Sequence, residues 1–121
     1  MKLATWLAKR PEVARVVYPG LEGDPGHAIW KRDFSGACGL FSVVLKPVGN
    51  AALAAMIDGY EHFKIGWSWG GYESLVVPAH IKRTVRPFAA EGPVVRYHVG
   101  LEDADDLLAD LDAGFARLGA T

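Results

Sequence analysis

A strand-like segment late in the chain restricts the fold more than any other feature. Apolar Val95, Tyr97 and Val99 alternate there with polar Arg96 and His98. Successive side chains of a β-strand point to opposite faces, so this strand is predicted to bury one face and to present an arginine and a histidine on the other. Such a strand belongs in a sheet with helices packed on its apolar face.

Patterns elsewhere in the chain supply that sheet and its helices. Strands are predicted at 13–17, 40–45 and 75–77, and amphipathic helices at 2–9 and after the N-cap residues Asn50 and Asp103, with a helical turn around 27–31. We therefore expect an α+β fold, a small antiparallel or mixed sheet with helices packed on one face. The predicted core joins strand residues Phe41, Val43, Leu45, Val95, Tyr97 and Val99 to helix residues Leu53, Met56, Ile57, Leu107, Leu111 and Phe115.

The second face of this sheet is expected to lack a cover from the chain itself. If Arg96 lies on that face, the face is either solvated or in contact with another domain or subunit. The acidic residues near the C-terminus are interpreted as the solvated side of the last helix; they are Glu102, Asp103, Asp105, Asp106, Asp110 and Asp112.

Composition excludes several classes of protein. The 121 residues are enough for one domain, and 50% hydrophobic residues with a net charge of -1 argue against disorder and against a general nucleic-acid partner. No apolar run reaches the ~18 residues of a membrane span and no signal peptide is recognisable, so we expect a cytoplasmic protein without a membrane partner. The single Cys38 and four widely spaced histidines predict no metal site.

The segment 66–70, which reads GWSWG, matches the G-x-S-x-G pattern of a nucleophile elbow. Ser68 would then be a hydrolase nucleophile, and the required order of an acid followed by a histidine is formally met by Glu73 with His80 or His98. The match is short, and no helix pattern follows the second glycine. A serine hydrolase is therefore the weakest of the functional hypotheses.

The same loop has two other interpretations. Adjacent Gly70 and Gly71 allow a close approach of backbone to a ligand or another segment, and the aromatic residues around them could either wall a small apolar pocket or fold into the core. Arg96 is similarly open to two interpretations. Its guanidinium could grip a carboxylate through two hydrogen bonds, or it could form an ordinary surface ion pair.

Three segments carry a resemblance to a known family. They are 32–42 (RDFSGACGLFS), 68–75 (SWGGYESL) and 96–103 (RYHVGLED). In this order and spacing they resemble the C-terminal domain of the pyridoxal-phosphate (PLP) enzymes of cysteine and methionine metabolism, which have fold-type I. A tryptophan at position 69 resembles the cystathionine β-lyase branch of this family, because the γ-synthase branch usually carries a smaller aliphatic residue at that position. The similarity covers essentially the whole chain.

This resemblance implies that residues 1–121 are one domain of a larger enzyme. The large PLP-binding domain would be absent from this chain, whose first helix begins without a capping residue. The Schiff-base lysine of the family lies in a Ser-x-Thr-Lys setting, which none of the lysines here shares. The resemblance thus implies PLP in a homo-oligomeric parent enzyme, and no catalytic or cofactor-binding residue and no bound PLP in this chain alone.

The resemblance also implies roles for four residues. Arg96 corresponds to the arginine that holds the α-carboxylate of the amino-acid substrate, and Ser68 and Trp69 correspond to residues that line the substrate pocket. Trp67 lies in the same loop, where close relatives are expected to carry tyrosine. The implied activity of the parent is cleavage of cystathionine to homocysteine, pyruvate and ammonia. The alternative is a stand-alone binding or interaction module that has the fold without the chemistry.

Overall fold

Residues 1–120, which a computed structural model describes, form five strands joined in one mixed sheet. The strands lie in the order β1-β2-β5-β4-β3, and every neighbouring pair is antiparallel except β3 and β4. The strands are β1 (Val13–Val17), β2 (Leu40–Leu45), β3 (Lys64–Ile65), β4 (Leu75–Ala79) and β5 (Val94–His98). The helices are α1 (Lys2–Ala8), α2 (His27–Asp33), α3 (Asn50–Asp58) and α4 (Ala104–Gly119).

The central strand β5 has the two faces that its sequence predicts. Tyr97 pairs with Phe41 of β2 and Val76 of β4, and all three side chains are buried in the core. Arg96 pairs with Ser42 and Val77 on the opposite face. The alternation of residues 94–99 therefore places the arginine on the face away from the core.

Helices α1, α3 and α4 pack on the core face, which confirms the α+β prediction. Each predicted core residue is either in the buried cluster or, like Leu53 and Val99, partly buried against it. The hydroxyl groups of Tyr60 and Tyr97 lie 2.8 Å apart, so the phenol oxygens inside the core satisfy each other.

Some element boundaries differ from the prediction. Asn50 is the first residue of α3 rather than its N-cap; the cap position is Gly49, and no side chain caps this helix. Strand β3 was not predicted because two residues are too few for an alternation to be recognised. Strand β4 continues through Pro78, beyond the end of β3. The missing N–H of this proline is tolerated because one side of the strand has no neighbour there.

The second sheet face is partly covered by the chain, contrary to expectation. The connection from β4 to β5 reaches across to β1, where Arg15 donates to the carbonyl of Ala89, pairs with Glu91 and lies 4.9 Å from the ring centroid of Phe88. Val44 is fully buried on this face. The β4–β5 connection is long enough to fold back over this part of the face.

The last helix begins as predicted. The side chain of Asp103 accepts hydrogen bonds from the backbone N–H groups of Asp105 (2.8 Å) and Asp106 (3.4 Å), as an N-cap does. The interpretation of the acidic residues as a solvated surface is wrong for Asp110, which is buried. Asp110 instead accepts hydrogen bonds from the backbone N–H groups of residues 61–63, in the turn between α3 and β3.

Candidate functional site

Arg96 and the loop between β3 and β4 together form the candidate site. The Nη2 atom of Arg96 donates a hydrogen bond to the backbone carbonyl oxygen of Trp67. Among residues 1–120 the guanidinium makes no other hydrogen bond. Arg96 therefore touches the loop with one nitrogen and has donors left over for a ligand.

The aromatic side chains of this loop point away from the core. Trp67 is 71% exposed, Trp69 63% and Tyr72 70%. The interpretation in which they fold into the core is therefore wrong. The hydroxyl of Ser68 also has no hydrogen-bond partner in the part of the chain that the structure describes. The loop thus presents two indoles, a phenol and a serine hydroxyl at the surface, and its contact with Arg96 is the carbonyl of Trp67.

The buried side chain of His98 holds the middle of this loop. Its Nδ1 lies 3.4 Å from the backbone nitrogen of Gly70, and its Nε2 lies 3.0 Å from the carbonyl oxygen of Gly71. Gly70 has a φ of +84°, which other residues rarely adopt. The adjacent glycines were expected to allow a close approach of backbone to a ligand or another segment, but a Cβ atom at either position would have no atom within 4 Å, so only the positive φ of Gly70 calls for glycine here.

A second set of contacts holds the C-terminal end of the loop. The carboxylate of Glu102 accepts hydrogen bonds from the backbone N–H of Ser74 (2.9 Å) and from its hydroxyl (2.8 Å), while the hydroxyl oxygen accepts from the N–H of Gly100 (2.9 Å). A Cβ atom at Gly100 would lie 2.2 Å from the carbonyl oxygen of Tyr72. The loop can approach β5 this closely only because residue 100 is glycine.

The charge of Glu102 strengthens this attachment. Burial alone would raise the pKa of the carboxyl group, but the hydrogen bonds from Ser74, together with the backbone N–H of Glu102 itself and the nearby His62, outweigh it and lower the pKa below its ordinary value of 4.5. A carboxyl group whose pKa is lower in the folded state stabilises the fold above its unfolded pKa. That contribution is lost as the pH falls through the folded pKa.

Replacing Glu102 with Gln should therefore make the free energy of unfolding depend less on pH in the acidic range. The variant is expected to be less stable than the original chain at pH 7, and this difference should shrink as the pH falls from the ordinary pKa of 4.5 through the lower pKa of the folded state, where the carboxylate of the original chain is protonated as well. Urea unfolding between pH 3 and pH 7 measures the difference in the free energy of unfolding and its change with pH. The exposed Glu73, at the same loop, gives the control Glu73→Gln. A stability difference that does not change with pH would contradict the assigned hydrogen bonds.

The geometry does not support the serine hydrolase. The elbow requires a helix directly after the serine, whereas residues 66–74 continue through bends into β4. Both ring nitrogens of His98 are occupied by loop backbone. Glu73 and His80 are exposed and make no hydrogen bond in the described part of the chain, so no base or acid is oriented toward Ser68.

The lysine side chains of the chain lie at its surface. A Schiff-base lysine has to lie in an enclosed pocket beside the cofactor, and every lysine here is exposed; they are Lys2, Lys9, Lys31, Lys46, Lys64 and Lys82. Within residues 1–120 there is also no group of three or more metal-binding side chains, and no helix of the length and hydrophobicity needed to cross a membrane.

Comparison with known proteins identifies the family. A family model described as Cys/Met metabolism PLP-dependent enzyme matches residues 1–116. The chain belongs to this family. The three sequence segments that carried the resemblance, including Arg96 and the loop, all lie inside the matched range.

Individual members of the family match almost the whole chain. The cystathionine β-lyase of Escherichia coli is 52% identical over 125 aligned residues, which cover 98% of this chain and 31% of that protein. An L-alanine/L-glutamate racemase of Wolbachia pipientis is 40% identical, with 98% of this chain and 30% of the racemase covered. The chain thus spans about a third of the length of these relatives.

The fold is also that of a solved family member. A cystathionine γ-synthase from Xanthomonas oryzae, crystallised in complex with cystathionine, matches with a TM-score of 0.84 and 36% identity. The match covers 98% of this chain and 32% of the synthase chain. Family members with this domain therefore include proteins named as lyases, synthases and racemases.

Proposed function

We propose that this chain is the C-terminal, substrate-binding domain of a cystathionine β-lyase. The parent enzyme would cleave L-cystathionine to homocysteine, pyruvate and ammonia, with PLP held by the remainder of the polypeptide. The observation that carries the proposal is the guanidinium of Arg96, anchored at one nitrogen to the carbonyl of Trp67 and beside the exposed loop 66–74. The 52% identity to the β-lyase of Escherichia coli favours this activity over the other activities named in the family.

Arg96 would bind the α-carboxylate of the substrate. Its guanidinium is planar, keeps its charge at any working pH and can donate two parallel hydrogen bonds to one carboxylate. A two-point contact restricts rotation of the bound amino acid, which a single charge cannot do. Since Arg96 lies on a central strand of the sheet, its backbone is fixed by hydrogen bonds on both sides.

The loop would supply the wall of the substrate pocket. Trp69 and Ser68 lie next to each other in the loop, one offering a large apolar face and the other a hydroxyl donor and acceptor. Trp67 contributes its carbonyl to the anchoring of Arg96, and its exposed indole is proposed to extend the same wall. A pocket of this kind excludes water only when another surface closes over it.

We propose that the large PLP-binding domain of the parent supplies that surface. The exposed indoles of the loop are large apolar groups that a soluble protein normally covers. A second apolar region lies elsewhere on the chain, a groove of about 560 Å³ lined by residues that include Ile29, Trp30 and Phe34. Both surfaces are consistent with a chain that spans only about a third of its relatives' length.

A chimeric enzyme tests the proposed function. The matched segment of the Escherichia coli relative is replaced by this chain, and pyruvate release from cystathionine is measured in the presence of PLP. We expect an active chimera, because the two segments are 52% identical and align over 98% of this chain. A folded chimera that binds PLP and releases no pyruvate would contradict the proposal and favour a non-catalytic module.

The chain alone is expected to be inactive. With PLP and cystathionine it should give neither the absorbance at ~420 nm of a lysine-bound cofactor nor pyruvate, because no lysine lies in an enclosed pocket. Borohydride reduction followed by peptide mapping checks this directly. Stoichiometric trapping of PLP on one lysine would contradict the prediction, whereas scattered labelling of exposed lysines would not.

A further inference from the structure

The imidazole of His98 is buried, and both of its nitrogens face the backbone of the loop. The N–H of Gly70 needs an acceptor and is 3.4 Å from Nδ1, while the carbonyl oxygen of Gly71 needs a donor and is 3.0 Å from Nε2. Both contacts are satisfied at once only by the neutral ring with its proton on Nε2. The geometry therefore selects one tautomer of this histidine.

His98 and Arg96 act on the same loop from the same face of β5, because residues two apart on a strand point the same way. Arg96 contacts the carbonyl of Trp67 and His98 contacts Gly70 and Gly71. The two attachments lie on either side of Ser68 and Trp69. Those two residues have no hydrogen bond of their own in the described part of the chain.

We propose that His98 is a positioning residue that, through Gly70 and Gly71, holds Ser68 and Trp69 in a fixed place relative to the guanidinium of Arg96. The residue does not touch the substrate. It sets the distance between the part of the site that binds the carboxylate and the part that contacts the rest of the amino acid. This role rests on the proposed function of Arg96 and of the loop.

Such a role differs from that of a histidine that merely fills space in the fold. A space-filling side chain would be replaceable by any group of similar volume, and its loss would affect stability alone. A positioning histidine has to keep one acceptor and one donor directed at adjacent peptide groups. Gln can provide one of each, although with a different reach, whereas Ala provides neither.

The first test uses the chain itself with 15N-labelled histidine. The nitrogen chemical shifts of His98 should be those of a neutral ring protonated at Nε2, whereas the exposed His80, which makes no hydrogen bond in the described residues, should exchange between tautomers. Amide exchange at Gly70 should be about 3- to 10-fold faster in His98→Ala, the effect of losing one hydrogen bond, and unchanged in His80→Ala. A ring protonated at Nδ1, or unchanged exchange at Gly70, would overturn the proposal.

The second test measures kcat/KM of the chimeric enzyme in a double-mutant cycle. His98→Ala should lower kcat/KM by about 3- to 10-fold, and His98→Gln should recover part of this loss. In a Trp69→Ala background the His98 substitution should cost less than about 2-fold, because the wall that it positions has been removed. Equal losses in the two backgrounds would show that His98 does not act through Trp69.

These readouts separate the two proposals. A chimera that is inactive without any substitution counts against the proposed function, and the tautomer of His98 and the exchange at Gly70 still decide whether the loop is held as described. If His98→Ala does not fold, His98→Gln and the tautomer of the unsubstituted chain decide the matter. Faster exchange at Gly70 combined with an unchanged kcat/KM would overturn the positioning role.

Discussion

Replacing Arg96 with Lys in the chimeric enzyme should lower kcat/KM for cystathionine by about 10- to 150-fold, although the charge is preserved. An ammonium group cannot reproduce two parallel hydrogen bonds to a carboxylate, and loss of one charge-assisted hydrogen bond costs about 1.5–3 kcal/mol. Arg96→Ala should lose more, since both the hydrogen bonds and the charge are removed. Steady-state kinetics of pyruvate release measure both variants.

The structure provides a matched control for this experiment. Arg86 is exposed, makes no hydrogen bond in the described residues and lies in the β4–β5 connection, so Arg86→Lys should leave kcat/KM within about 2-fold. Arg96 is outside the buried core cluster, so its variants should keep their fold and their PLP absorbance. An unchanged kcat/KM in Arg96→Lys would mean that Arg96 is an ordinary surface arginine, because an exposed ion pair contributes no more than about 1 kcal/mol.

The sequence predicted the main elements because their patterns are long or clearly periodic. The alternation around Arg96 and the apolar stripe that includes Leu107, Leu111 and Phe115 each had enough residues to determine a face. Strand β3 has only two residues, and its parallel pairing with β4 depends on tertiary contacts rather than on its own sequence. The contacts of the β4–β5 connection with Arg15 likewise depend on the path of a loop, which periodicity does not determine.

The sequence predicted which residues form the candidate site, but not the hydrogen bonds that hold its loop in place. Arg96, Ser68, Trp69 and Trp67 were identified from the family resemblance, and the structure brings Arg96 against the carbonyl of Trp67. The contacts of His98 and Glu102 with the loop were missed. A side chain that binds backbone groups leaves no signature in the partner's sequence, because every residue except proline has the same N–H and C=O groups.

For Asp110, the neighbouring sequence predicts an exposed side chain, whereas the structure buries it. It lies in an acidic helix, yet its register puts it on the side of α4 that faces α3, with 5% of its surface exposed. Its Oδ1 accepts from the N–H of Glu61 (2.9 Å) and its Oδ2 from those of His62 (2.8 Å) and Phe63 (3.2 Å). One carboxylate thus satisfies three successive backbone donors in the turn that leads into β3 and the candidate loop.

Asp110→Ala should therefore destabilise the chain by about 3–5 kcal/mol. The substitution removes the acceptor from three part-buried or buried N–H groups, and each donor left without a partner costs about 1–3 kcal/mol unless water reaches it. Asp110→Asn keeps one acceptor oxygen but directs an amide NH2 at a backbone donor, so its loss should be smaller than that of Ala and still exceed about 1 kcal/mol. Urea unfolding of the chain measures the three free energies of unfolding.

The matched control is Asp112→Ala, two residues further along the same helix. Asp112 has 63% of its side chain exposed and pairs with Arg10 at 3.1 Å, so its removal should cost no more than about 1 kcal/mol. Both substitutions delete one negative charge from α4, so a difference between them measures the hydrogen bonds of Asp110 rather than the charge of the helix. Equal losses in the two variants would mean that the turn at residues 61–63 does not depend on the carboxylate, and the entry into β3 would then have to be stabilised by the burial of Phe63 alone.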